Sequence, residues 1–540
     1  MILCKNRIHR FLFLALGAIL TGVTVVSPEA GFLEWITLVP AGIFLLEYTI
    51  RQDVKMRSLY GYGLFFFYLY YLVTFHWFMN LYPLEFIDGM TKWAALCVVL
   101  VSWLGLSLLQ TLMGGLTFVL MGLLFRTTLA RKYPLLRVFL GAAVWSVYEW
   151  TQTLGWWGVP WGRLPLGQAA YPVALQTASW FGSYFITFLI VTVNLCVAYG
   201  ILLFVRRKHL PVRAPMTHTC IVAAVILLFQ YGAGAVIWTT NRSEGEPLRV
   251  AAIQGNISSN EKWNENSSVR TREVYREYTL KAAEAGAELV VWPETALPYV
   301  IKEDTFSYRY VSSLAQEAQV TILVGAFCQS EQGGEYNAVF CFLPDGTPLD
   351  TVYAKRRLVP FGEFVPMREL IETLIPPLAD LVMSGEDVLW GEGANVFETE
   401  HGRLGSLICF DSIYEDLTRE SVQGGAELIC LSTNDSWFTD SAALYMHNAQ
   451  AQLRAIESGR YVVRAANTGI STIISDRGEV LALQEPLVDG MVVGDVYLSD
   501  SQTLYTRIGN LWIYVLISGM ILYLLWEGLL IRRRRTMRAV

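Results

Sequence analysis

The chain has 540 residues, 54% of them hydrophobic and only 16% charged, with a formal net charge of −6. Soluble domains carry about 25% charged residues, so this composition excludes a protein exposed to water throughout, and no basic stripe points to nucleic acid. Eight cysteines without C-x-x-C spacing and six histidines without an H-E-x-x-H pair predict no disulfide framework, no metal and no cofactor.

The apolar residues are concentrated in the first 240 positions and near the end. Stretches long enough to cross a bilayer are predicted near 11–27, 31–50, 59–80, 93–125, 135–152, 177–205, 218–238 and 509–531. The first follows Lys5, Arg7 and Arg10 but lacks a small-x-small cleavage site, so it is expected to be a retained helix. Basic clusters follow alternate spans: Arg51, Lys55 and Arg57; Arg126, Arg131, Lys132 and Arg137; Arg206, Arg207, Lys208 and Arg213; and Arg532 to Arg535. By the positive-inside rule both termini are expected in the cytoplasm, with the region between spans seven and eight on the outer side. The expected organisation is a seven-helix membrane domain (1–240), a linker (241–247), an α/β domain (248–500), a final span (509–531) and a basic tail (532–540).

One loop expected on the outer side, 153–167, carries Trp156, Trp157, Trp161 and Arg163. Its tryptophans suit a headgroup interface, either as anchors alone or as part of a lipid-entry site with Arg163 near phosphate. After the linker the pattern changes. Leu248–Gln254 reads as a strand, Ser268–Ala285 as a helix with Leu280 and Ala283 inward, and Gly286 as its C-cap. A buried strand Leu289–Trp292, a helix near 307–319, a strand Thr321–Phe327 and a hairpin turning at Pro344-Asp-Gly346 follow. The apolar run Leu404–Ile408 ends abruptly at Cys409, before an acidic turn into a helix. This order predicts an α/β sandwich with helices on its outer faces.

Three segments carry polar chemistry where α/β sheets place it, at strand and loop ends: Trp292-Pro-Glu294, the run Tyr353 to Pro366 with Lys355 and Glu363, and Ile408-Cys409-Phe410-Asp411. Brought together, a Glu would accept the thiol proton, a Lys would favour the thiolate and neutralise an oxyanion, and a Cys would carry an acyl group as a thioester. Taken singly, each has an alternative reading: Glu294 as a helix cap, Lys355 as part of a basic face, Cys409 as a small core hydrophobe and His447 as a structural histidine.

The trio and its surroundings resemble the nitrilase superfamily of Glu-Lys-Cys amide-handling enzymes; Tyr336-Asn-Ala338, Ser432-Thr-Asn-Asp-Ser-Trp437 and the run Arg460 to Gly469 fit the same resemblance. Joined to membrane spans, the chain resembles the apolipoprotein N-acyltransferase family. The resemblance implies an αββα catalytic sandwich with Glu294 as base, Lys355 as oxyanion stabiliser, Cys409 as nucleophile, and Glu363, Phe410 and Asp411 in support. It also implies substrate contacts from Trp263, Trp437 and Asn337, alongside Arg163. The implied acyl donor is a membrane phospholipid and the implied acceptor the diacylglyceryl cysteine of an apolipoprotein, at a bacterial inner membrane. The family's common Cys-Tyr-Glu is here Cys-Phe-Asp. The rival expectations are a membrane-tethered amidase that gives its thioester to water, and a non-catalytic lipid- or lipoprotein-binding module. Finally, an apolar arm between Glu363 and Trp390 reads either as a lid for acyl chains or as a buried helix pair.

Overall fold

The computed structural model describes all residues except 1–2, 5, 51–53, 85–88, 207–212, 241–242, 244, 259–267, 375–386 and 540, and the chain divides into two units. The first comprises 1–79, 97–240 and 508–540; the second comprises 80–96 and 241–507. Residues 80–96, placed by sequence among the membrane helices, group with the second unit.

The first unit is built from α1 (Arg7–Val26), α2 (Val39–Tyr48), α3 (Met56–Thr74), α4 (Lys92–Phe125, from Cys97 on), α5 (Leu135–Thr151), α6 (Ser183–Arg206), α7 (Arg213–Thr240) and a final helix, Leu511–Ala539. Among the described residues six segments are long and apolar enough to cross a membrane: Arg7–Val26, Pro28–Tyr48, Lys92–Phe125, Ser183–Arg206, Met216–Thr240 and Leu511–Arg532. Two further expected spans are helical but fall outside that set. Tyrosines at 60, 62, 68, 70 and 71 dilute the hydropathy of α3, and α5 has only 17 residues and contains Arg137 and Glu149.

Close helix approach explains some of the glycines. A Cβ on Gly63 of α3 would lie 2.9 Å from the Gly115 carbonyl oxygen of α4, so only glycine allows that crossing. Polar side chains in this apolar bundle turn inward, where they find partners. The Glu34 carboxylate accepts from Gln168 Nε2 at 2.7 Å, and Glu149 accepts from Leu164 N at 3.0 Å and from the Thr187 hydroxyl at 2.5 Å. Arg163 follows the same rule. It is fully buried, donates to the Tyr184 hydroxyl at 3.1 Å and lies over that ring. The expected headgroup-facing arginine is therefore corrected to an interior residue of the first unit. Of the loop tryptophans, Trp157 is exposed, whereas Trp161 is buried against Trp77.

The second unit runs β1 (Leu248–Gln254), α8 (Ser268–Glu284), β2 (Leu289–Val291), α9 (Phe306–Ala318), β3 (Thr321–Gln329), β4 (Glu335–Phe342), β5 (Pro348–Ala354), α10 (Arg368–Leu374), β6 (Val396–Thr399), β7 (Gly402–Ile408), α11 (Glu415–Gln423), β8 (Leu428–Thr433), α12 (Ala442–Ser458), β9 (Val462–Ala466), β10 (Ser471–Ile474), β11 (Val480–Gln484) and β12 (Gly490–Val496). Among the described residues two six-stranded sheets result, ordered β12-β1-β2-β3-β4-β5 and β11-β10-β9-β8-β7-β6. Their central strands β1-β2-β3 and β7-β8-β9 are parallel, and are buried nearly throughout because both faces are covered.

Between the sheets, Val250, Ala252, Leu289 and Leu323 pack with Leu404, Ile408, Leu428 and Val463. On the far side of the first sheet, Tyr275, Ala282, Val311 and Leu314 of α8 and α9 cover Ala251, Ile253, Val290 and Val324. Helices α11 and α12 cover the second sheet, completing an αββα sandwich. The inner stripe of α8 is Thr271, Tyr275, Thr279 and Ala282, with Leu280 and Ala283 only half-buried. Trp292 sets this rotation: its ring stacks on Tyr275 at 4.8 Å, and its indole N–H donates to Thr279. The sheets are also joined directly. Ser432 Oγ donates to the Trp292 carbonyl at 2.8 Å, and Gln254 Oε1 accepts from Ser471 N and Oγ at 3.1 and 2.9 Å.

Candidate active site

Strands β2, β5, β7 and β8 end in polar residues that converge. After β2 the chain turns at Pro293-Glu294 against Gly325 of β3, where a Cβ would stand 2.3 Å from the Pro293 carbonyl oxygen. That contact needs glycine, and it fixes where the Glu294 carboxylate begins. After β5, the Lys355 amide donates to the Asn337 carbonyl at 2.8 Å, which continues the ladder to β4 for one more residue. After β7, Cys409 opens a short 3₁₀ turn with φ of +49°, a left-handed conformation costly for a side chain with a Cβ.

Lys355 Nζ lies 2.8 Å from Glu294 Oε1 and 2.9 Å from Glu363, and the three side chains are only 2%, 7% and 16% exposed. Asn337 Nδ2 bridges the same two carboxylates, at 2.7 Å from Glu294 Oε1 and 3.0 Å from Glu363 Oε1. Glu363 is further oriented by Val359 N–H at 2.9 Å. Burial works against the charge on Lys355, but Glu294 and Glu363 outweigh it and hold its ammonium well above the usual lysine range. Asn337, expected to touch substrate, has its amide nitrogen committed to orienting the two carboxylates.

The Cys409 thiol is half-buried. Burial, reinforced by Glu294 and opposed by Lys355, pushes its ionisation far up, so the resting form is the neutral thiol. The proton therefore leaves only when a neighbouring base takes it. Phe410 is half-buried, its ring edge-on to Tyr414 at 5.5 Å, so the hydroxyl of the common Tyr is simply absent here.

Asp411 is fully buried and collects four donors: Arg356 N at 3.2 Å and Arg357 N at 2.7 Å on Oδ1, and the Tyr353 hydroxyl at 2.8 Å and Ile408 N at 3.1 Å on Oδ2. Burial pushes its carboxyl up to about 6 against the pull of Lys355 and these donors. The shorter Asp thus performs a structural task, joining the backbone beyond Lys355 to the cysteine turn.

Behind Cys409 lies a network that sequence reasoning passed over. Asp435 receives Arg464 Nη2 at 2.7 Å and His447 Nδ1 at 2.9 Å, and all three side chains are buried. Its carboxylate would be raised by burial, but Arg464 and His447 hold it well below the usual range. Cys409 Sγ, an Asp435 oxygen and a His447 ring nitrogen lie within 4.8 Å of one another, a spacing that a metal ion can bridge. With Arg464 on the carboxylate and His447 bonded to it, we read this group as an ion-pair network. Trp437 follows on the same segment, half-buried, while Trp263 lies outside the described residues. The sequence held its parts separately: Asp435 in the Asn-Asp-Ser-Trp run, Arg464 in the run Arg460 to Gly469, and His447 read as a structural histidine.

Comparison with known proteins gives this geometry a context. Residues 17–196 match the family model of the apolipoprotein N-acyltransferase N-terminal domain, and residues 249–505 match that of carbon-nitrogen hydrolase. The apolipoprotein N-acyltransferase of Gloeobacter violaceus is 31% identical over 94% of this chain and 92% of its own length. This chain belongs to the apolipoprotein N-acyltransferase family. A second member, from Geobacter metallireducens, is 32% identical over 70% of this chain and 71% of its own. Yeast Nit3, a nitrilase-superfamily structure, aligns at 18% identity and a TM-score of 0.38 over 47% of this chain and 92% of its own. The N-acyltransferase N-terminal model covers apolar helices of the first unit, and the carbon-nitrogen hydrolase model covers the sandwich that carries Glu294, Lys355 and Cys409.

Proposed function

We propose that this chain moves an acyl group from a membrane phospholipid to Cys409, and from there to the α-amine of the diacylglyceryl cysteine at a lipoprotein's N-terminus. The observation that carries the reading is the buried cluster in which Lys355 is paired with Glu294 and Glu363 while electrostatically coupled to the Cys409 thiol.

In the first half-reaction Cys409 Sγ attacks the donor's ester carbonyl and Glu294 takes the thiol proton. Lys355 and the Phe410 backbone N–H face the oxyanion. As the intermediate collapses, the carbon–oxygen bond breaks, Glu294 returns the proton to the leaving alkoxide, and a lysophospholipid departs. In the second half-reaction the acceptor amine attacks the thioester and loses a proton to Glu294. The new amide forms, the carbon–sulfur bond breaks, and Cys409 is reprotonated. Glu363 has a specific use here. When Glu294 is protonated, Lys355 still has a carboxylate partner and stays charged when the oxyanion needs it.

Both substrates are anchored in lipid, which accounts for apolar helices on the same chain. We assign eight spans, both termini to the cytoplasm and the 248–500 domain to the outer face of a bacterial inner membrane, on the alternation of basic clusters. The exposed Met367, Leu370 and Trp390 beside the site's Glu363 segment suit contact with acyl chains, and Trp437 the site's mouth. The lid reading of the arm falls partly on 375–386, outside the described residues.

Intact mass spectrometry tests the reading. Protein incubated with a phospholipid of known acyl chains is expected to gain one acyl mass at Cys409 and lose it to a diacylglyceryl peptide. A gain that decays in water and ignores the peptide identifies a tethered hydrolase, and no gain leaves a binding module.

A further inference from the structure

The residues behind the nucleophile do more than fill space. His447 Nδ1 sits 2.9 Å from Asp435 Oδ1, whose carboxylate is kept ionised by Arg464 at 2.7 Å. His447 Nε2 sits 3.0 Å from Ser412 Oγ and 3.2 Å from the Cys409 carbonyl oxygen, and Ser412 Oγ is itself 2.8 Å from that carbonyl. A carbonyl can only accept, and serine has one hydroxyl proton. If Ser412 donates to the carbonyl, Nε2 must carry a hydrogen to bond either oxygen; Nδ1 must carry one to bond a carboxylate. Every close contact then has a proton in it only when both ring nitrogens are protonated.

We propose that His447 is a buried imidazolium and a positioning residue for the nucleophile, holding the Cys409 carbonyl so that the left-handed turn presents the thiol, and supplying a positive charge behind it. This rests on the reading of Cys409 as the acyl carrier. The cation lies close: a His447 ring nitrogen is within 4.8 Å of Cys409 Sγ. Asp435 and Arg464 face His447 from the end of β8 and from β9, while Cys409 and Ser412 face it from the turn. Glu294 and Lys355 act on the same thiol, and Asp411 stands two residues beyond it. Further along α12, Arg454 pairs with Glu457 and with Glu415 of α11. Asp435 by itself pushes the thiol further up; with Arg464 and a charged His447 the group sums to one positive charge, which offsets that push and favours a thiolate. Lys355 then answers the oxyanion in front while His447 steadies the sulfur behind. No other described residue bonds the Cys409 carbonyl through a ring nitrogen in this way.

The test uses the full chain in detergent and two probes: iodoacetamide, read at the Cys409 peptide by mass spectrometry across pH, and a phospholipid of defined acyl chains. Variants are His447→Gln, His447→Phe and Asp435→Asn. Gln keeps a donor near the Nε2 position but no charge, and Phe keeps neither. His447→Gln is expected to slow Cys409 alkylation at fixed pH by about tenfold or more, the rate change that removing a nearby charge causes in a thiol that stays mostly protonated. Acyl-thioester formation is expected to slow on the order of 10- to 100-fold in His447→Gln and further in His447→Phe, the scale of a charge-assisted hydrogen bond. Asp435→Asn added to His447→Gln is expected to add little to the slowing of alkylation, because the two act as one unit. An unchanged alkylation rate in His447→Gln, in a variant whose circular dichroism and thermal midpoint match the parent, overturns the proposal. If the parent protein itself forms no acyl adduct, the function reading fails, while the alkylation rates still decide the role of His447.

Discussion

The Tyr353 hydroxyl donates to Asp411 Oδ2 across 2.8 Å, linking the strand that delivers the lysine to the turn that delivers the cysteine. With Arg356 N, Arg357 N and Ile408 N on the same carboxylate, the relative position of Lys355 and Cys409 depends on one aspartate.

Asp411→Asn therefore has a definite expected effect. An amide nitrogen would confront backbone N–H groups that need an acceptor, so thioester formation is expected to fall by about 100-fold, the equivalent of one or two lost charge-assisted hydrogen bonds. Asp411→Glu, one methylene longer, is expected to lose less. Single-turnover acylation of the two variants checks the order; equal rates in all three proteins would remove Asp411 from the positioning scheme.

The same residue gives a pH signature. Its carboxyl titrates near 6 in the fold against 3.8 in the unfolded chain, so the fold favours the neutral acid. Its contribution to stability is full below 3.8 and is lost as pH rises through about 6, a cost of about 3 kcal/mol at neutral pH. The ionised form is nonetheless the better acceptor for four donors, so acylation is expected to fall on the acid side of 6 while the protein becomes harder to melt. Thermal midpoints between pH 4 and 7 check this, with Asp411→Asn expected to flatten the slope.

Lys355→Met leaves Glu294 and Glu363 buried side by side without a counter-charge. A loss of about 3–5 kcal/mol is expected, with no measurable acylation. Adding Glu294→Gln is expected to restore much of the stability and none of the activity, measured by thermal denaturation and by adduct mass.

Cys409→Ala is expected to leave a folded protein that gains no acyl mass. Phe410→Tyr is expected to change turnover by less than about threefold, because the ring is half-buried against Tyr414 and the chemistry uses the backbone N–H of this residue. An acylating Cys409→Ala protein would refute the nucleophile assignment.

Glu294 and Cys409 were legible as candidates because each follows a short apolar strand and interrupts it with a polar side chain, a signal carried by neighbours in sequence; Lys355 follows the only partly apolar β5 and stood out through the run from Tyr353 to Pro366. The buried ion network was not legible in that way. His447 was noted only as a structural histidine; it and Arg464 both bond Asp435 from different elements, 12 and 29 residues away from that aspartate. Arg163 misled for a related reason. Its loop is rich in tryptophan and suggested a lipid surface, but Tyr184, 21 residues later, gives the guanidinium an interior partner. The face of α8 was misjudged because aliphatic residues were counted and a tyrosine stacked on Trp292 decided the rotation.

The direct bonds between the two sheets, Ser432 to Trp292 and Gln254 to Ser471, have a consequence for how one site serves two lipid-anchored substrates in turn. They rivet the sandwich where its strands run into the reacting groups, so neither sheet can slip by a residue to widen the entrance. Changing places between a departing lysolipid and an arriving peptide must then be the work of the perimeter, the segments around Val359–Leu374 and Asn434–Ser441, while the strands behind them act as a stationary anvil.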